Sequence, residues 1–165
     1  MKLICTLCLL LLGSTVLFAQ TKTGYINFQQ MISMMPESKL ASDTLNSLQE
    51  RLNKDGQQLI EEYSRKVKEL DSAGNMSPAM VEVKSAELKS AQANIQRYRE
   101  ISEQTMSARE QALLTPILNK AKGILKAVAN EKGYTLVIDN SRDAVLVSAD
   151  TDDLMPAVKV KMGIK

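Results

Sequence analysis

Histidine is absent from the 165 residues, so the commonest general base and the commonest metal ligand are both missing. Ser-His-Asp and Cys-His catalysis and histidine-based zinc chemistry are excluded with it. The two cysteines, Cys5 and Cys8, both lie in an apolar leader. Carboxylate catalysis is the formal remainder, but no pair of acids stands out from the charged background. The seven glycines are scattered singly, so the sequence holds no glycine-rich phosphate loop. Asp150-Thr151-Asp152-Asp153 suggests calcium until the loop is counted through. The sixth place, where glycine is needed, is Met155, and the twelfth, where glutamate closes the site, is Lys161. The cluster therefore reads as a helix cap. No catalytic residue, metal or cofactor is expected.

Binding chemistry is a different matter, because nine methionines supply adaptable apolar side chains. Met31, Met34 and Met35 are grouped as core fillers. Met76 and Met80 flank a turn and are candidates for contact with a flexible partner. Tyr63 and Tyr98 are candidates by their rings, although both also fall on an apolar helical spacing that suits ordinary packing.

The elements that must position these side chains begin after a leader. Lys2 is a positive n-region, Leu3 to Phe18 is almost wholly apolar and Ala19 offers a cleavage position, so residues 1–19 read as a secretory signal peptide. Both cysteines leave with it, and the mature chain relies on packing rather than disulfides. Removing Lys2 from 21 basic residues leaves 20 against 19 acidic, a net charge of +1 that argues against nucleic acid as a partner.

Thr23 to Gln29 has the β-branched and aromatic content of a short strand. From Pro36 the pattern turns helical, with Leu45, Leu48, Leu52, Leu59, Tyr63, Val67 and Leu70 forming one thin stripe that Asp55 and Gly56 interrupt. Residues 73–78 form a turn, with Gly74 suited to a C′ position, Ser77 to an N-cap and Pro78 to the first turn of a second helix. The return stripe comprises Met80, Val83, Leu88, Ala91, Ile95, Tyr98 and Ile101, and then Leu113, Ile117, Ala121, Leu125 and Val128. Two such helices make an antiparallel hairpin whose legs, residues 37–73 and 78–116, each span about 55 Å. Pro116 is expected to bend the axis and mark the junction of arm and body. Beyond it come a shorter helix to Glu131, a strand from Tyr134 to Asp139, a turn, a second strand from Ala144 to Val147 completing a β-hairpin, and a last helix capped by Asp150 to Asp153.

The fold class that results is mainly α with a small β body. A long helical hairpin arm, residues 36–116, is inserted between an N-terminal strand and a C-terminal strand pair. Residues 20–165 form a single domain whose body comprises 20–35 and 117–165. Such a body is marginal alone, so association through its strands is expected. Tyr25, Ile26, Val137, Ile138, Val145 and Leu146 are the interface candidates.

Gly24-Tyr25-Ile26-Asn27, the long hairpin, Thr115-Pro116-Ile117, residues 133–139 (GYTLVID) and residues 153–158 (DLMPAV) together give the chain its resemblance to the Skp (OmpH-like) periplasmic chaperones. The resemblance implies a homotrimer with a β-rich body and three helical arms around a cavity. In it, unfolded outer-membrane proteins are held without ATP and kept from aggregating. Met155 departs from the family's usual threonine near the start of the last helix. Basic members of the family also differ from this chain, whose outgoing leg carries 6 basic against 8 acidic residues and whose return leg 5 against 5. No lipid-binding site is carried over. A non-enzymatic periplasmic location, peripheral to the membrane, follows from the resemblance and the leader. The competing reading is a structural or adaptor coiled coil of the envelope.

Overall fold

The computed structural model describes residues 21–72, 74 and 76–164. The expected signal peptide and Gln20 lie outside the described residues. Strand β1 (Thr23–Ile26) alternates, with Gly24 and Ile26 buried and Thr23 and Tyr25 on the other face. It is shorter than the sequence suggests. The Asn27 side chain accepts the Gln30 N–H at 2.8 Å and starts helix α1 (Phe28–Ser33), which takes Phe28 and Gln29 out of the strand.

Helix α2 (Pro36–Asp71) opens on proline, where a missing N–H costs no helical hydrogen bond, and runs unbroken through Asp55 and Gly56. It closes at Ser72, whose hydroxyl donates to the Lys68 carbonyl at 2.7 Å. Gly74 lies past that cap, without the left-handed backbone expected of it. Ser77 does cap helix α3 (Pro78–Glu131), accepting the Met80 N–H at 3.3 Å. All 54 residues of α3 form one helix with Pro116 inside it, so no new helix starts at the expected junction. Pro116 is exposed, and its missing donor leaves the Ala112 carbonyl on a face that water can reach. The helix ends at Gly133 (φ 71°), with the Gly133 and Tyr134 N–H groups donating to the Asn130 and Ala129 carbonyls.

Strand β2 (Leu136–Asp139) pairs with β1, not with residues 144–147. The pairing is parallel, with Thr23 opposite Leu136 and Ile26 opposite Asp139. Parallel neighbours require a long crossover, and here the two-helix excursion supplies it. The expected strand from Ala144 to Val147 does not form, and the reason is local. Asp143 adopts φ 52°, which turns the chain away, and the Asn140 side chain takes the Val145 N–H at 2.8 Å that a hairpin ladder would have used. On the other edge of β1, Tyr25 bridges Asp153, and the Leu154 N–H donates to the Tyr25 carbonyl at 3.0 Å. A 3-10 turn (Asp150–Asp152) leads into helix α4 (Met155–Met162). The Asp153 carboxylate accepts the Met155 N–H at 2.8 Å, so part of the acidic cluster caps as expected.

The core joins β1, the root of the helices and α4. Ile26, Met31, Leu154 and Val158 are its fully buried large side chains, with Met35, Ile117, Val128 and Met155 around them. None of the buried residues of α3 precedes Ile117. Beyond the core the hairpin is held by buried Leu48 and otherwise by half-buried side chains.

Candidate functional site

Along the hairpin the seam repeats at intervals of three and four. On α3 its members are Leu88, Ala91, Ile95, Tyr98, Ser102 and Met106, all half-buried. Met80, Val83 and Ile101, assigned to the stripe from sequence, instead lie outside the seam at 48%, 53% and 51% exposure. Ser102 occupies the place that Ile101 seemed to fill, and its Oγ is buried without a hydrogen-bond partner. Periodicity alone does not separate neighbouring faces of a helix when apolar residues sit on both.

Tyr98 turns inward. Its hydroxyl donates to the Leu52 carbonyl at 2.9 Å, and its ring lies where a Cβ on Gly56 would stand 3.3 Å from Cε1. Gly56 thus makes room for a ring that bolts one leg to the other. Tyr63 is half-buried on the flank, beside Ile60, Gln92 and Ile95.

At the turn end, Met76 is half-buried, while Met80, Val81 and Val83 present an exposed apolar patch. Behind it, Lys84 bridges Glu69 at 3.4 Å and Glu87 at 3.3 Å, and Lys66 joins Glu62 and Glu87. Hydrogen bonds to Glu87 and then Glu69 raise the Lys84 pKa above its ordinary value. These pairs are solvated and hold local geometry more than they stabilise the fold. At the root, Lys120 donates to Glu37, which lowers the Glu37 pKa.

Of the six interface candidates, four divide between the faces of the small sheet, and Val145 and Leu146 lie outside it. Ile26 is 1% exposed and belongs to the core, and Val137 packs against the same core. Tyr25 and Ile138 share the outer face, where Leu136 joins them at 52% exposure. Val145 is half-buried, whereas Leu146 and Val147 are 90% and 93% exposed. Leu136 and Val147, exposed apolar residues as well, are not among the candidates that the sequence offers. Two-residue parity with Ile138 is the signal that finds Leu136, whereas Val147 needed the knowledge that its segment stays outside the sheet.

Among the described residues no group of three acidic or thiol side chains is placed to hold a metal ion, and no helix is long and apolar enough to cross a membrane. The described residues thus form a long two-helix hairpin rising from a small α/β core. Residues 22–162 match the family described as outer membrane protein (OmpH-like), and the chain belongs to that family. It is also similar to an OmpH-like protein from Caulobacter crescentus whose crystal structure is assigned to an outer membrane chaperone. That likeness has a TM-score of 0.75 at 16% identity, covering 87% of this chain and 85% of the other, and it concerns the fold. No curated protein matches the chain.

Proposed function

We propose that the protein is an ATP-independent holding chaperone of the periplasm that binds unfolded outer-membrane proteins and prevents their aggregation. The observation that carries this reading is the distribution of exposed apolar side chains along the hairpin. Met80, Val81, Val83, Ile60, Ile101 and Leu40 are spread over its length rather than gathered in one cleft. Many weak contacts to one extended client gain strength from their effective concentration, without a single tight site. Tyr63, Met76 and Met80 would share in this contact. Tyr98 contributes by keeping the legs together.

Three copies would associate through the outer sheet face and residues 140–149, which follow it without forming a strand. Tyr25, Leu136, Ile138, Leu146 and Val147 leave an apolar surface that a monomer would expose to water. The body, residues 20–35 and 117–165, would form the assembly, and residues 36–116 the arms around the client. Light scattering of a denatured outer-membrane protein diluted into nucleotide-free buffer tests the function. Scattering should fall to near background at stoichiometric protein. Unchanged scattering would favour a structural or adaptor role instead.

A further inference from the structure

We propose that the groove between α2 and α3 containing Arg51 and Arg109 is a docking site for acidic segments of an unfolded polypeptide, an inference that rests on the chaperone reading. The two arginines come from opposite legs and line one groove, whose lining contains no carboxylate. Neither forms an ion pair among the described residues. The hydroxyls along the groove do not compete with them. Thr44 donates to the Leu40 carbonyl at 2.7 Å, Ser47 to Asp43 at 2.9 Å and Thr105 to Ile101 at 2.7 Å, so each proton is committed to its own helix. The free side-chain donors facing an incoming segment are therefore guanidinium N–H groups, which match a carboxylate's paired oxygens.

The groove continues toward the root. Thr44 and Ala112 are shared with a neighbouring depression whose lining includes Leu40, Leu113, Pro116 and Ile117, bounded by the Glu37–Lys120 pair. Leu40 is 67% exposed there. A cationic stretch next to an apolar one fits an extended segment with a carboxylate beside apolar residues. The opposite flank of the hairpin differs, since Arg99 shares its groove with Glu103 and Glu110. The balanced charge of the return leg thus hides an uneven split between these two grooves.

The test uses fluorescence anisotropy with two short extended peptides, identical and apolar except that one carries two Asp residues where the other carries two Asn. The mature protein should bind the Asp peptide about fivefold to tenfold more tightly at low salt. Arg51→Gln with Arg109→Gln should abolish that preference and leave the Asn peptide unaffected. Lys122→Gln with Lys126→Gln, which removes equal charge elsewhere, should preserve it. If the glutamine pair loses helicity by circular dichroism, Arg51→Lys with Arg109→Lys replaces it and should weaken only the Asp peptide. Equal binding of both peptides by the wild type overturns the proposal, as does loss of preference in the Lys122/Lys126 variant. Binding to phosphatidylglycerol vesicles without discrimination between the peptides overturns it too. Aggregation of a neutral client is followed in parallel. Failure to suppress it while the peptide preference stands counts against the holding function, and the reverse result counts against the groove alone.

Discussion

An alanine at Gly24 would drive its methyl group to 2.3 Å from Leu154 Cδ1, 2.9 Å from the Tyr134 ring and 3.0 Å from the Asp152 carbonyl. Leu154 and Tyr134 are both buried and Tyr134 is tied to the Thr151 carbonyl at 2.7 Å, so neither can give way cheaply. Gly24→Ala should lower stability by roughly 1–3 kcal/mol, measured by urea unfolding, and an unchanged midpoint would contradict the close approach. Asp139 offers a second reading at this scale. Its carboxylate accepts the Ser141 hydroxyl, the Ser141 N–H and the Phe28 N–H, with Arg142 nearby, and the Ser141 hydroxyl bond leads in lowering its pKa below 3.8. Lowering in the folded state means that this stability is present above pH 3.8 and lost as pH falls through the folded value. Asp139→Asn should therefore flatten the acid limb of a thermal-stability profile. Because the side chain is largely exposed, the loss at neutral pH should be small, about 0.5–1 kcal/mol. Chemistry at this scale was legible in the sequence where it depended on capping, as at Ser77 and Asp153. It was not legible at Asn140, whose side chain settles a choice between two strand pairings.

The helices carry an uneven load. The buried residues of α3, from Ile117 onward, belong to the core with β1, α1 and α4, and Leu113 and Leu114 pack against it, whereas residues 84–106 face α2 through half-buried side chains. One helix should therefore show two levels of protection. Amides of residues 84–106 should exchange markedly faster than those of residues 117–129 in hydrogen-exchange mass spectrometry, because a two-helix seam opens at little cost. Uniform protection along α3 would refute this. The hairpin itself followed from two stripes, a turn and matched leg lengths, all local signals. The strands did not follow so readily. The pairing of β1 with β2 spans more than a hundred residues of chain, and apolar content marked residues 144–147 as a second strand beside the stronger signal of residues 134–139. Likewise Ile101 and Ser102 are one position apart, and only the partner helix decides which faces the seam.

For the molecule as a whole, exposed Leu136 and Ile138 on the sheet face they share with half-buried Tyr25, together with exposed Leu146 and Val147, are the strongest reason to expect association. The wild type should sediment as a trimer at micromolar concentration, and Ile138→Asp should dissociate it by placing a charge in an apolar contact. A monomeric wild type would contradict the assembly. Holding by dispersed apolar contacts should also tolerate salt, because neither leg has a large net charge and apolar attraction is not screened by ions. Salt should weaken only the preference for acidic segments. The most direct measurement is sedimentation velocity of an unfolded outer-membrane protein mixed with this protein, without nucleotide, at low and at roughly 0.3 M sodium chloride. A soluble complex in which the client co-sediments with the protein is expected at both salt concentrations. A client that pellets while the protein sediments alone at either salt concentration would contradict it.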